Sequence, residues 1–523
     1  MKNKIFLNKI FFVGLVLIYL VLAFKNPFKA NNLIPNIEPG PDVYYYSVPA
    51  WNLVHGNGFK MAAFGIEIKK LPTPLYSIYL SPFFLIFNDV RSYYFANIIL
   101  GLISLFLFVK LSEILFGKEK IWLNFVLALV WVTNFYFYNL PTLMMAENIL
   151  IPLTLAAIIL MLKKIDLWSF GLNLVVIVLL VLTKISSFPV VLIQGIVLLF
   201  KIIESKFWLK IPKKWWLILG ISFILITGIL FVIIALPVAK SASGSSNNFS
   251  VKYIKTTLPI YLKEFIGIDG SYLWYNNQQL EKSIGLVSLV GVILGLILKK
   301  YRKRILVLLA VILGVTVFHS MMGYPEGRYI STVIPLFLLF SGVVLAELKN
   351  KLWLILFLGI YLLPKVTVNG FFERKVTTLK RQIMNNRLEE NEVPWNYVAI
   401  GKINEYFDKK KENVYLGTFL NPFYVMYFGN GNYKFLPLST RQEFSGLGKG
   451  FIDKYFEKEN SVVNLYKSLL LQGKEIYVTN YYLTYSKGAL DDEYHNLEKI
   501  FKFTQVKDGC LGECKIYKLD LRK

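Results

Sequence analysis

Residues 283–322 read SIGLVSLVGVILGLILKKYRKRILVLLAVILGVTVFHSMM, which is two apolar runs on either side of the basic hexapeptide KKYRKR. A helix that crosses the hydrocarbon of a membrane needs about 20 mostly apolar residues. Cytoplasmic loops of membrane proteins carry an excess of Lys and Arg, which fixes the direction of each crossing. The stretch therefore predicts two membrane-spanning helices joined by a loop at the cytoplasmic face.

The same alternation continues along most of the chain. In addition to 283–298 and 305–322, apolar runs occupy 9–24, 95–116, 121–138, 142–162, 168–183, 187–203, 215–237, 329–346 and 352–364. If the N-terminus is cytoplasmic, the inner loops are 117–120, 163–167, 201–214, 299–304 and 347–351, and each contains at least two Lys or Arg. The short outer loops 139–141, 184–186 and 323–328 contain only Lys184 and Arg328. This pattern predicts a polytopic α-helical protein of the plasma membrane with about eleven transmembrane helices.

The composition agrees with a membrane protein. Of the 523 residues, 55% are hydrophobic and 17% are charged, whereas soluble domains have roughly 25% charged residues. The net charge of +25 invites a nucleic-acid interpretation. However, the basic residues cluster between apolar runs, which is how membrane proteins fix their orientation. We therefore predict membrane lipids, and no nucleic acid, as partners.

Two long loops lie on the outer side in this topology, 25–94 and 238–282. Within the first loop, residues 71–87 are apolar but contain three prolines. If they crossed the membrane, every later basic loop would move outside. We therefore expect a juxtamembrane or half-inserted segment, whose broken backbone is tolerated only where protein buries it or where it lines a cavity.

Beyond the membrane domain, 1–364, the composition becomes polar. Amphipathic segments at 395–411 and 462–472 alternate with β-rich runs at 414–419, 475–480 and 514–521. The length suffices for one small α/β domain, 365–523, which is extracytoplasmic if 352–364 crosses the membrane. Cys510 and Cys514 can form a small disulfide loop there if that compartment is oxidising.

The first outer loop has an acid ahead of a cluster of aromatic residues. After the turn residues 39–41, the run DVYYYSVPAWNLVHG predicts a short surface helix with Asp42 near its N-terminus. Asp42 is then either a functional acid or only a helix cap, for which Asp is favoured. The aromatic residues that follow it suit a membrane interface.

Three further charged residues depart from the apolar pattern. Glu147 lies in PTLMMAENILIPL, a few residues inside the predicted outer end of its helix, where a charge is costly unless it is paired or functional. It either serves the site, reaches the surface or bonds a neighbouring helix. Lys184 is either functional or an interfacial lysine. Arg328 suits phosphate, because its planar guanidinium offers two donors, or else it pairs with a carboxylate such as Glu326. His55 and His319 could also lie on the outer side, although single histidines at helix ends are mostly structural.

Motifs for metals and nucleotides are lacking in the sequence. It has no HExxH, GxGxxG or P-loop pattern, so we expect neither a metal nor another cofactor. A phosphate donor that carries its own lipid would be delivered within the bilayer, with its headgroup at the outer face. The placement of the candidate residues would serve such a donor.

The order of the motifs resembles a known group of enzymes. Along the chain come PDVYYYSVPAWNLVHGNGF, KKLPTPLYSIYLSPFFLIFNDV, MMAENILIP, LLVLTKISSFPVVL and GRYISTVIP. Over about residues 9–346 this resembles the GT-C lipid-phosphate-sugar transferases of the protein O-mannosyltransferase and aminoarabinose transferase type, glycosyltransferase family 39. The resemblance implies an inverting glycosyltransferase that moves a hexose or pentose from a polyprenyl-phosphate donor to a lipid, glycan or protein acceptor.

The resemblance also implies roles for individual residues. Asp42 matches the presumed catalytic base, and Glu147 matches a second acid that supports the acceptor side or positions the first loop. Lys184 and Arg328 match basic positions near the donor phosphate. Lys70 is a weaker match, because the usual Lys-Pro-Pro reads KKLPTP here. The first-loop residues expected to form the sugar and acceptor pocket are Tyr44, Tyr45, Trp51 and His55.

Two other classes of function are consistent with a polytopic chain. A transporter or flippase of lipid-linked saccharides would carry polar groups near the midplane and often has inverted repeats. The candidate residues here lie at one face, and the sequence shows no internal repeat. A noncatalytic membrane scaffold would use the outer α/β domain for binding.

Overall fold

The structure is a computed structural model. It describes residues 2–24, 42–63, 66–68, 72–205, 249–267, 280–323, 325–348, 352–362, 414–419, 433–442, 452–480, 491–507 and 515–522, with a few isolated positions between them. The chain forms two compact units. The first comprises Met1–Phe24, Asn97–Pro141 and Ala146–Gln382, and the second comprises Lys25–Ala96, Thr142–Met145 and Ile383–Lys523.

The described part of the chain is mainly helical. In chain order the helices are α1 (Lys2–Ala23), α2 (Asp42–Val54), α3 (Pro74–Phe87), α4 (Tyr93–Phe116), α5 (Ile121–Val132), α6 (Phe135–Asn139), α7 (Glu147–Leu162), α8 (Leu167–Thr183), α9 (Phe188–Glu204), α10 (Ile254–Phe265), α11 (Lys282–Ile297), α12 (Lys299–Ser320), α13 (Ile334–Glu347), α14 (Leu352–Leu362), α15 (Val462–Leu471) and α16 (Asp491–Ile500). The strands are β1 (Met61–Ala63), β2 (Ile66–Ile68), β3 (Val414–Gly417), β4 (Lys434–Leu436), β5 (Glu475–Thr479), β6 (Phe501–Lys507) and β7 (Ile516–Leu521).

Among the described residues, three helical segments are long and apolar enough to cross a membrane. They are Val90–Phe116, Ile185–Glu204 and Lys299–Ser320, and the bent pair Ile121–Val132 and Tyr136–Thr142 makes a fourth if it counts as one span. Most of the other predicted crossings are helices of 10–17 residues. The predicted crossing 215–237 lies outside the described residues, so the total of about eleven stays a prediction.

Several helices differ in their bounds or in their course from the predicted runs. The apolar run 121–138 is not one straight helix. The Asn134 side chain accepts a hydrogen bond from the Phe137 amide and so caps the start of α6. The segments Ile121–Val132 and Tyr136–Thr142 meet at an angle of 53°. The run 142–162 becomes helical only at Glu147, since a short 3-10 turn covers Leu140–Thr142. Glu147 is therefore the first residue of α7, not a residue inside it. The partial positive charge of a helix N-terminus favours a carboxylate there.

Basic residues of the predicted inner loops bind carbonyl groups at the C-terminal ends of other helices. Nζ of Lys120 donates to the Ala346 carbonyl at 2.7 Å, and Nη1 of Arg304 donates to the Leu115 carbonyl at 2.8 Å. Cations near a helix C-terminus satisfy carbonyls that lack a partner within the helix. These contacts gather the loops around 117–120, 299–304 and 347 at the same end of the bundle. Whether that end faces the cytoplasm stays a prediction.

Helices α11 and α13 approach each other closely through glycine. A Cβ added at Gly291 would lie 1.9 Å from the carbonyl oxygen of Phe340 in α13. Small residues let the backbones of membrane helices come into contact in this way. The position leaves no room for a side chain unless the two helices separate.

We predict that Gly291→Ala destabilises the protein, although alanine is the better helix former. Overpacking of a tight contact costs about 1–3 kcal/mol, which exceeds the propensity gain of about 1 kcal/mol when the helices must move. The matched control is Gly195→Ala in α9, where an added Cβ meets nothing within 4 Å. Thermal unfolding of the purified variants in detergent should show a lower midpoint for Gly291→Ala alone. Equal midpoints would contradict this account of the contact.

In the second unit, the segment predicted as the first outer loop contains helices α2 and α3 and a short hairpin. Helix α2 begins at Asp42, as predicted, and packs on α3, where the ring of Tyr46 meets that of Tyr76 edge to face at 5.2 Å. The hairpin of β1 and β2 follows, and the Asn52 amide donates to the Ala62 carbonyl at 2.7 Å. The predicted half-inserted segment is helical from Pro74 onward.

The polar C-terminal part contains a five-stranded sheet in the order β4-β3-β5-β7-β6. The first three of these strands are parallel, and β7 and β6 are antiparallel to their neighbours. Helices α15 and α16 contribute Tyr466, Tyr494 and Leu497 to the buried core. The sequence predicted α15, β3, β5 and β7 but not β4 or β6. Residues 508–514, which include both cysteines, lie outside the described residues.

Candidate active site

Glu147 and Lys184 form a buried ion pair. Nζ of Lys184 donates to Oε1 of Glu147 at 2.8 Å, and the two side chains are 18% and 3% exposed. Glu147 opens α7, and Lys184 directly follows the C-terminal end of α8. The other carboxylate oxygen, Oε2, is buried and has no hydrogen-bond partner among the described residues. Within the described part of the chain, the hydrogen-bonding capacity of this buried carboxyl group is therefore only half satisfied.

Arg328 lies in the short 3-10 helix Gly327–Ile330, between α12 and α13. Its Nε forms an ion pair with Oε2 of Glu326, and the Arg328 side chain is 7% exposed compared with 27% for Glu326. The alternative that the sequence offered for Arg328, an ion pair with Glu326, is therefore present. The guanidinium of Arg328 is therefore buried, whereas the carboxylate of its partner Glu326 remains partly exposed to solvent.

The ring of Tyr329 joins the two ion pairs. Nζ of Lys184 lies 5.6 Å from the ring centroid, and Cζ of Arg328 lies 5.2 Å from it. The imidazole of His319, at the end of α12, stacks on the same ring at 5.0 Å with the planes 10° apart. An aromatic face attracts cations within about 6 Å. One ring thus brings together residues from three separate segments of the chain.

Two more tyrosines border these charges. Tyr136, in α6, is buried near Ser331 and interacts electrostatically with Glu147, Lys184 and Arg328. Tyr261, in α10, is fully buried beside Glu326 and Arg328. Burial raises the pKa of Tyr261 well above its usual range, so its hydroxyl keeps its proton. Both phenols add polar groups next to the two ion pairs.

The formal charges of this cluster balance. It holds two cations, Lys184 and Arg328, and two carboxylates, Glu147 and Glu326. Buried charges persist in proteins when they are paired in this way. The arrangement keeps two cations in a largely buried place with no formal net charge.

The predicted pocket residues of the first loop lie in the other unit. Trp51 and His55 stack on each other at 4.1 Å, and Nε2 of His55 lies 3.3 Å from Oδ1 of Asn88, which follows α3. Tyr44 and Tyr45 are in the first turns of α2. The Asp42 and Tyr44 side chains are not among those that the structure describes, nor is Lys70.

Of the predicted site residues, Glu147, Lys184 and Arg328 come together. Sequence reasoning missed Tyr329, Tyr136 and Tyr261, and it took His319 only as structural. Tyr329 is part of the motif GRYISTVIP, but no local pattern distinguishes it from the other 31 tyrosines of the chain. Its role becomes visible only when α8, α12 and the turn before α13 pack together.

Comparisons with known proteins identify a fold rather than a sequence family. No family model matches the sequence, and no curated protein matches it either. The structure is similar to the crystal structure of ArnT from Cupriavidus metallidurans bound to undecaprenyl phosphate, with a TM-score of 0.60. The sequences are 13% identical, and the match covers 97% of each chain. The apo state of the same ArnT gives the same values.

The apo oligosaccharyltransferase of Archaeoglobus fulgidus has a TM-score of 0.49 at 12% identity, covering 99% of this chain and 74% of that one. The match to ArnT confirms, at the level of the fold, the resemblance predicted from the order of the motifs. Over almost its whole length, this chain has the GT-C fold of ArnT, an aminoarabinose transferase.

Proposed function

We propose that this protein is an inverting glycosyltransferase of the plasma membrane. It would take a hexose or pentose from a polyprenyl-phosphate donor and pass it to a lipid, glycan or protein acceptor on the outer side. The main support is the buried cluster around Tyr329, in a chain with the fold of a protein solved in complex with undecaprenyl phosphate. In this proposal the C-terminal sheet is extracytoplasmic.

The two cations of the cluster are suited to bind the leaving group of such a reaction, which is the lipid phosphate. When the bond between the anomeric carbon and the phosphate oxygen breaks, the lipid phosphate gains negative charge. Lys184 and Arg328 would stabilise this charge, since cations fixed in advance in a poorly solvated site act strongly on developing charge. Glu326 is the more exposed of the two carboxylates, so water can solvate it when Arg328 turns to the phosphate.

The acceptor side of the reaction is assigned to Asp42. Its carboxylate would take the proton from an incoming hydroxyl or amine as that group attacks the anomeric carbon. General bases of this kind contribute about 10²–10⁴-fold in rate. A base on the acceptor and cations on the opposite leaving group imply inversion at the carbon. This assignment, like those of Tyr44, Tyr45, Trp51, His55 and Lys70, rests on the motif resemblance.

The buried oxygen Oε2 of Glu147 favours a donor whose sugar lies beside the phosphate. Oε2 of Glu147 needs a hydrogen-bond donor, because a buried acceptor left unpaired costs about 1–3 kcal/mol. A sugar presents several hydroxyl groups close to its phosphate, and one of them can donate to this oxygen. Glu147 would then hold Lys184 with one oxygen and contact the donor sugar with the other.

The proposal is tested with the purified protein in lipid nanodiscs. Radiolabelled polyprenyl-phosphate hexoses and pentoses are added with an extract of membrane acceptors, and label that leaves the polyprenyl fraction is measured. We expect release of polyprenyl phosphate and labelled product with at least one sugar. If label instead crosses the bilayer of proteoliposomes while still attached to the lipid, the protein is a flippase and the proposal is wrong.

Within that assay, we predict that Arg328→Gln lowers kcat/KM for the donor by about 10- to 100-fold. The change removes a charged hydrogen bond to phosphate, which contributes about 1.5–3 kcal/mol. The matched control is Arg302→Gln, because Arg302 donates to the Leu296 carbonyl at the other end of the bundle. Equal losses in both variants would show that the effect comes from general loss of arginine packing.

A further inference from the structure

Tyr329 has no role in the chemistry described above, yet its ring contacts both cations of the charged cluster. The ammonium of Lys184 and the guanidinium of Arg328 both lie over its ring, and His319 stacks on it. Lys184 comes from the end of α8 and His319 from the end of α12, so the ring links segments that are far apart in the sequence. The contact with Lys184 is therefore produced by the tertiary fold.

The chemistry of the ring suits a site that must receive an anion. Carboxylates alone can hold two cations together, but a carboxylate competes with phosphate for the same charge and repels it. An aromatic ring attracts a cation through its quadrupole and carries no net charge. A cation held by a ring can therefore bind a phosphate oxygen without losing its position.

We propose that Tyr329 is a positioning residue that holds Lys184 and Arg328 in place for the donor phosphate. This inference rests on the proposed function. The ring face supplies the attraction, so the hydroxyl group of Tyr329 is dispensable. The ligand is a phosphodiester or phosphomonoester on a lipid, and the ring acts on it only through the two cations.

Two substitutions distinguish the contribution of the Tyr329 ring from that of its hydroxyl group. Tyr329→Phe keeps the aromatic face, and Tyr329→Leu keeps an apolar side chain but removes the face. The matched control is Tyr253→Leu, because Lys252 lies over the Tyr253 ring at 4.9 Å in another part of the same unit. Binding of polyprenyl phosphate to the purified variants in nanodiscs is measured together with donor KM, acceptor KM and the thermal midpoint.

We expect Tyr329→Leu to weaken polyprenyl-phosphate binding and to raise donor KM by about tenfold or more, since two cation–π contacts are lost. Acceptor KM should stay unchanged, and Tyr329→Phe and Tyr253→Leu should behave like the wild type. In the double variant Tyr329→Leu/Lys184→Met the losses should be less than additive, because the ring then has one cation fewer to hold.

Three outcomes would overturn the inference. Equal defects in Tyr329→Phe and Tyr329→Leu would assign the role to the hydroxyl group. Donor and acceptor KM that rise together, with a lower thermal midpoint, would make Tyr329 a packing residue. If Tyr329→Leu binds the donor normally while Arg328→Gln does not, Tyr329 has no positioning role, and the proposed function is unaffected. If Arg328→Gln also binds the donor normally, the proposed function itself fails.

Discussion

Replacing Asp42 with asparagine should reduce sugar transfer by about 10²–10⁴-fold, the usual contribution of a general base. Asparagine has nearly the same shape and caps a helix as well as aspartate does, so α2 should still form. The amide cannot accept the proton of the attacking group. Transfer is measured by release of polyprenyl phosphate, and protein folding by the thermal midpoint.

The control for this change is Asp89→Asn, in the same loop. Asp89 caps a short 3-10 helix by accepting a hydrogen bond from the Arg91 amide at 2.8 Å, and asparagine can do the same. We expect this variant to transfer sugar normally. If Asp42→Asn also transfers at the wild-type rate, Asp42 is only a helix cap and the base must be sought elsewhere.

The second large effect concerns the buried ion pair. We predict that Lys184→Met destabilises the protein by about 3–5 kcal/mol, because Glu147 is left as an uncompensated charge at 3% exposure. The double variant Lys184→Met/Glu147→Gln removes both charges and should recover most of this stability. Lys300→Met is the control, since the ion pair of Lys300 with Glu347 is exposed and such pairs contribute little.

The same variants distinguish an effect on protein stability from an effect on donor binding. The double variant should fold but bind polyprenyl phosphate poorly, because it lacks the Lys184 ammonium. Unfolding midpoints in detergent and donor binding in nanodiscs are measured on the same preparations. A double variant that is as unstable as Lys184→Met would show that the loss comes from packing of the lysine stem. Normal donor binding in the double variant would remove Lys184 from the phosphate site.

Several elements followed from local patterns alone. The apolar run at 305–322 predicted most of α12, because length and hydropathy are properties of the run itself. The basic run 299–304 was predicted as a loop, but it forms the first turns of that helix. The turn before DVYYYSV predicted α2 in the same way. The break at Asn134 was missed, since hydropathy stays high through a capping asparagine.

The same distinction between local pattern and tertiary packing applies to the residues of the candidate site. The charged residues that depart from the apolar pattern could be identified from the chain alone, since a lone charge in an apolar run is costly wherever the run packs. The pairing of Glu147 with Lys184, 37 residues away, and the position of the Tyr329 ring beside both cations came from the packing in three dimensions. Those contacts depend on which helix ends meet, and hydropathy along one chain carries no information about its neighbours in space.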